Sequence, residues 1–456
     1  MGPLHGFDSD RAAPAGDPAT PPARASRGLL IERAGAVATF AGGLRRGASQ
    51  RDPATIPGPG LSVACWEGRI LAAGTAGEVE RRIIEAGHPR DAFERIDAAG
   101  GLVTPGLIDA HTHLVFAGSR EAEWQLRAGG AGYLEILAAG GGILSTVAAT
   151  RAAPDEELES GARRRLDEML AHGTTTAEAK SGYGLNVATE LRLLSVLGRL
   201  GRRGPVRLLP TFLGAHAVPA EFRGRPDAAG AYVSNVIEEQ LPAVAEQGIA
   251  RFCDVFCEAG VFDTDQSRRI LSAARDLGLG IRLHADELAP SGGAELAAEL
   301  GCLSADHLAA PSEAGIDALA RSARSGRPVV ATLLPATSWF LAKHHFAPAR
   351  RLIDAGVPVA IATDLNPGTS PTVSLQLAMS VACLELGLTA AEALAGCTVN
   401  AAHALGLGSE IGSIEPGKGA DLVVWDVPNL EQIPYWLGSN LVRSVVRAGA
   451  VVVSRP

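Results

Sequence analysis

Two histidines close an apolar run in "IDAHTHLVFAGSR" (108–120), and an arginine follows them within the same stretch. On a strand, residues i and i+2 project to one side, roughly 6–7 Å apart. His111 and His113 can therefore reach one ion while Thr112 points away. Such a pair alone is weak evidence. However, other titratable residues end later apolar runs in the same way: His216 in "LGAH", His284 and Glu287 in "HADE", His307 in "DH" and Asp364 in "TD". Core histidines scattered at random would not respect run ends. Three imidazoles and a carboxylate, from His111, His113, His284 and Asp364, make a ligand set for Zn²⁺ or iron with a position left for water.

Only a particular scaffold brings these ends together. Eight β-branched, apolar runs succeed one another: "LVTPGLIDAHTH" (102–113), "GTTTAEAKS" (173–181), "PVRLLPTFLGAH" (205–216), "ARFCDVFCEAG" (250–260), "GIRLHADEL" (280–288), "CLSADHL" (302–308), "RPVVATLLPAT" (327–337) and "VPVAIATDLNP" (357–367). Between most of them lie helix-like segments such as 155–173, 234–248 and 265–278. Eight β-then-α units predict an α/β fold, a (β/α)₈ TIM-like barrel, whose strand ends converge on one catalytic face. A doubly wound sheet is the competing arrangement, and the count of eight favours the barrel. Outside the barrel, Gly- and Pro-punctuated β-like pieces at 29–41, 61–74 and 94–106 share their texture with 412–427 and 441–454. Segments 29–102 and 408–456 are expected to pair as one small antiparallel β-sandwich domain around a catalytic barrel of 103–407.

The 456 residues carry a net charge of −9 and are 46% hydrophobic, ample for a large core, with no Lys/Arg block for nucleic acid or an anionic membrane. No stretch approaches a membrane span. Residues 1–28 are rich in Pro, Ala, Gly and charge and read as a disordered tail without the apolar segment of a secretion signal. Six unpatterned cysteines read as buried, reduced thiols, so a cytoplasmic protein is expected.

The barrel, the split β domain, "DAHTH", "LHADE", "ATD" and "GSIEPGKGADLVVWD" together resemble the amidohydrolase superfamily, from about residue 29 to the end. More narrowly, "HTHLVFAGSR", "KSGYGL" (180–185), "LGAH", "HADEL" and "ATDLNPGTSP" (362–371) are similar to the branch that opens the ring of 4-imidazolone-5-propanoate, yielding N-formimidoyl-L-glutamate in L-histidine degradation. A metal ion in such a site lowers the pKa of water to about 7 and polarises a carbonyl, which suits this hydrolysis. The resemblance makes Asp364 both ligand and candidate base. Glu287, reaching past the metal to the substrate, is the second candidate base, and His307 would hydrogen-bond the carbonyl as charge develops. Arg120 offers the planar fork that suits a propionate carboxylate. By the same resemblance, Arg120, Tyr183, His216, Asn366, Gly368 and Thr369 contact substrate. A homodimer is also implied.

One departure matters. Binuclear relatives carry a bridging carboxylated lysine near the end of strand four, whereas "DVFCEAGVF" has none. One ion per site is therefore expected, with Lys180 in a structural or rim role. Rival readings are a related mononuclear deaminase, acting on an aromatic base or formiminoglutamate, and a non-catalytic scaffold that has lost its ligands. Blander roles are assigned to the remaining residues: His172 as a helix cap, His403 as packed, His344 and His345 as solvated, His5 and His88 as peripheral. Cys253 and Cys257 share a strand face without a thiolate metal partner.

Overall fold

The computed structural model describes residues 28–130, 141–343 and 345–455. The stretch read as an N-terminal tail, with His5, lies outside the described residues apart from Gly28, and so does His344.

All eight expected runs contribute barrel strands: β1 (Leu107–Asp109), β2 (Thr174–Lys180), β3 (Arg207–Ala215), β4 (Phe252–Cys257), β5 in two pieces (Gly280–Ile281 and Leu283–Ala285), β6 (Ser304–His307), β7 (Val330–Leu333) and β8 (Val359–Ile361). They pair in chain order and all in parallel. A parallel bridge between Thr112 and Leu365 links β1 to β8, where the His113 N–H donates to Leu365 O at 2.8 Å. That bridge brings the HxH pair beside Asp364. Barrel strands are covered on both faces, and β2 is buried along its whole length although its sequence TTTAEAK carries Glu178 and Lys180. Helices between the strands bury one face and begin on side-chain caps, such as Asp263 for Thr264–Asp276 and Ser312 for Glu313–Arg324.

The terminal segments form one eight-stranded sheet around a core of their own that includes Leu29, Val63, Val103, Leu422 and Val446. Strand Gly28–Ala38 lies inside it, antiparallel to Thr55–Trp66. The sheet is mixed, which corrects the antiparallel expectation. Gly28–Ala38 also pairs in parallel with Phe93–Asp97 and Leu102–Pro105. The reason is a crossover: helix Ala76–Glu85, started by a Thr75/Glu78 capping box, carries the chain across before it returns.

A second correction concerns run one, which is two strands. Leu102–Pro105 belongs to the terminal sheet and pairs with Leu422–Trp425, while Leu107–Asp109 opens the barrel. Gly106 is the joint. A Cβ there would lie 2.3 Å from Thr175 Oγ1, so the close approach to β2 requires glycine. At the barrel's other flank, Gln50 pairs its amide with both backbone groups of Val359, at 3.0 and 3.2 Å, and Asn400 grips Arg45 and Val359. The six cysteines are free thiols, five of them buried.

Candidate metal centre

The HxH segment is fixed from the side. Thr112 donates its N–H to Glu178 Oε2 at 3.2 Å and its hydroxyl to the Glu178 carbonyl at 2.7 Å, both on β2. With Thr112 turned that way, His111 and His113 share the opposite side of the strand. His284 comes from the second piece of β5, and Asp364 follows β8. All four side chains are buried. The nearest ring nitrogens of His111, His113 and His284 lie within 4.8 Å of one another, and so do ligand atoms of His111, His307 and Asp364. Nε2 of both His111 and His113 is 3.5 Å from Asp364 Oδ1. The structure thus brings together the four expected ligands, and it places His307 at their edge.

The donor set fits a cation. Nδ1 of His111 is 2.7 Å from Asp306 Oδ2, and Nδ1 of His284 is 2.9 Å from Asp254 Oδ2. A carboxylate can only accept, so His111 Nδ1 carries the hydrogen and its Nε2 keeps a free lone pair, while His284 meets Asp254 as an ion-pair contact. Both Nε2 atoms are buried without a hydrogen-bond partner among the described residues. Such atoms are costly unless something electrophilic completes them. Burial, then the charge of Lys180, holds His111 well below its ordinary value; burial, then His216, does the same for His113. Neutral imidazoles are ligand-ready. Burial pushes Asp364 up to about 7 despite a 2.7 Å hydrogen bond from the Thr337 hydroxyl. For His284, burial opposes protonation but Asp254 outweighs it and raises the ring. His307 and Asp364 both hold left-handed backbone, with φ of +74° and +53°, conformations that non-glycine residues keep only under firm surrounding contacts.

Beneath the ligands lies a floor of buried charge. Lys180 Nζ is 2.7 Å from Asp254 Oδ2, 2.9 Å from Glu178 Oε1 and 3.8 Å from Asp306 Oδ2. Arg282 donates to Asp306 Oδ2 at 3.1 Å and to the carbonyls of Ala110 and Ala404. Lys180 has no exposure, so its role is structural and the rim alternative is set aside. Burial disfavours its ammonium, but Asp254 and Glu178 outweigh that and raise its pKa. An ammonium has no lone pair with which to become carboxylated. The reading from residue types missed Asp254, Asp306 and Arg282. A usable signal existed, since charged residues inside apolar runs must find partners.

The other wall carries the remaining expected residues. Tyr183 and His216 flank His113, their ring centroids 5.8 and 4.9 Å from its own. His216 Nδ1 is 3.0 Å from the Gly182 carbonyl, and burial lowers its pKa to about 3. Glu287 lies 3.6 Å from His307 Nδ1 and 3.7 Å from Lys343 Nζ. Burial alone would raise Glu287, but His307 and Lys343 pull it below its ordinary value, while burial drives His307 down to about 4. Arg120 already meets one carboxylate: Nε and Nη2 donate to Glu123 at 2.8 and 2.7 Å. Its guanidinium also lies against Gly368, where a Cβ would sit 1.9 Å from Nη1. Asn366 shapes the following turn, accepting from the N–H groups of Gly368 and Thr369 at 2.8 Å each and donating to Asp364 O at 2.7 Å. Away from the centre, His172 caps helix Asp155–Ala171, His403 is half-buried and His345 is exposed.

Comparison with known proteins agrees with this geometry. The profile of the amidohydrolase family matches residues 102–452. An imidazolonepropionase of Geobacillus kaustophilus is 54% identical over 86% of this chain and 90% of its own length. One from Symbiobacterium thermophilum is 50% identical over 93% and 97%. Among solved structures, a zinc-bound adenosine deaminase from Xanthomonas campestris superposes with a TM-score of 0.65 at 23% identity, over 93% of each chain. A triazine hydrolase variant gives 0.66 at 18% over 94% of this chain and 95% of its own; both are likenesses of fold alone. The chain belongs to the amidohydrolase family and, within it, to the imidazolonepropionases.

Proposed function

We propose that this centre hydrolyses the ring amide of 4-imidazolone-5-propanoate to N-formimidoyl-L-glutamate, a step of L-histidine degradation. The observation that carries the reading is identity of about half with imidazolonepropionases over most of the chain, joined to a buried His/Asp group at the barrel mouth. His111, His113, His284 and Asp364 would hold a single ion, zinc or iron, both of which suit imidazole and carboxylate donors. When bound, the ion supplies Lewis acidity, polarising the carbonyl and acidifying water.

The protein's own groups do the rest. Asp364, beside the ion, is placed to take a proton from the attacking water, and Glu287 is the alternative acceptor from the substrate side. His307 donates to the carbonyl oxygen as negative charge develops. Its Nδ1 lies 3.6 Å from Glu287 Oε2. Arg120 and the turn of Asn366, Gly368 and Thr369 receive the propionate, while Tyr183 and His216 line the pocket beside His113. Among the described residues no helix is long and apolar enough to cross a membrane. We read the enzyme as cytoplasmic and homodimeric; exposed Leu384, Tyr435, Trp436 and Leu437 offer apolar surface for a second copy.

Turnover of imidazolone propionate with identification of the product tests the assignment. Formimidoylglutamate is the expected product. Ammonia release without it would make the protein a deaminase, and a metal-free, inactive protein after supply of zinc and iron would make it a scaffold.

A further inference from the structure

Glu190 is a fully buried carboxylate to which none of the roles above extends. It sits in the first turn of helix Val187–Arg203, but it does not cap that helix. Asn186 already does so, accepting from the Thr189 N–H at 2.9 Å. The Glu190 side chain reaches back instead into "SGYGL". Oε2 accepts from the Gly182 N–H at 3.0 Å, and Oε1 accepts from those of Gly184 and Leu185 at 2.7 Å each. Among the described residues no cation pairs with it, and these three amides are its hydrogen-bond partners. The fit is tight: a Cβ on Gly184 would lie 2.8 Å from Oε1, and Leu185 is held at a φ of +55°.

The clasped segment carries two groups of the substrate wall. Tyr183 lies between the anchored amides of Gly182 and Gly184. The Gly182 carbonyl accepts from His216 Nδ1 at 3.0 Å, so the residue that donates to Glu190 also orients the His216 ring. The Tyr183 and His216 centroids are 5.5 Å apart, and both rings flank His113.

We propose that Glu190 is a positioning residue for substrate recognition, setting Tyr183 directly and His216 through Gly182. The inference rests on the imidazolonepropionase reading, in which those two rings face substrate. The test is Glu190→Gln in the full chain, with steady-state turnover of imidazolone propionate, metal content per subunit and thermal unfolding measured together. Glutamine keeps one acceptor oxygen and turns an NH₂ towards a backbone N–H. The expected result is a KM raised by about tenfold or more, the scale of one charge-assisted hydrogen bond. kcat should change less, metal content should stay at the wild-type level, and Glu190→Asp should fall between the two. An unchanged KM in folded E190Q overturns the proposal, and so does loss of metal in step with activity. If E190Q does not fold, E190D carries the same readout; failure of both to fold makes Glu190 a folding residue and also overturns it. Absence of turnover by the wild-type protein would instead sink the functional reading.

Discussion

The floor and the substrate wall of the barrel mouth are held by different forces. Under His111 and His284, full charges meet at zero exposure: Lys180 and Arg282 bind Asp254 and Asp306, which in turn orient the two rings. On the wall, beside the Arg120–Glu123 pair, side chains also grip neutral backbone, with Glu190 on the 182–185 segment and Asn366 on the 368–369 turn. A buried ion pair locks geometry because removing one partner leaves an uncompensated charge in a medium that cannot solvate it. A backbone clasp is milder, because its loss leaves neutral amides rather than a bare charge. The floor thus lies directly under the candidate ligands, and the clasps shape the loops beside them.

The harshest way to break this contrast is His284→Ala, expected to abolish metal retention and activity together. Normal metal content in that variant would contradict its ligand role. Next comes the floor itself. Lys180→Met leaves Glu178 and Asp254 without their cation and should destabilise the protein by about 3–5 kcal/mol in urea unfolding. A variant as stable as the wild type would mean that charge does not hold the floor. On the wall, Arg120→Ala should mainly raise KM, by the equivalent of about 1.5–3 kcal/mol, with metal content unchanged. An unaltered KM would remove Arg120 from the pocket.

Glu392 extends the comparison to a charged clasp far from the centre. Burial would raise its carboxyl, but hydrogen bonds from Arg350, Thr389 and Arg51 outweigh this and lower it to about 2 from an ordinary 4.5. A depressed carboxyl contributes its stability fully above the ordinary value and loses it as pH falls towards about 2. Thermal midpoints recorded down that range should drop more steeply for wild type than for Glu392→Gln; parallel curves would refute the clasp. The smallest effect belongs to the exposed Arg95–Glu32 pair in the terminal sheet. Arg95→Ala should shift stability by no more than about 1 kcal/mol, since water and salt already screen that pair.

Much of this is legible in the sequence. Periodicity marked all eight barrel strands, and placement of His111, His113, His284, His307 and Asp364 at strand ends pointed to one catalytic face, because parallel strands deliver their C-terminal ends to the same side. Local pattern could not reveal that one apolar run serves two sheets. That depends on Gly106 meeting Thr175, residues far apart in the chain. Nor could it reveal that Lys180 would lie under the ligands, that Arg120 would already grip Glu123, or that Glu190 would hold a neighbouring loop. Residue type and spacing determined which groups could do the chemistry, since these set strand period and ligand identity. Only the closed barrel decided which partner each buried charge received, because a carboxylate's nearest cation or amide is a matter of distance across strands rather than of order along one.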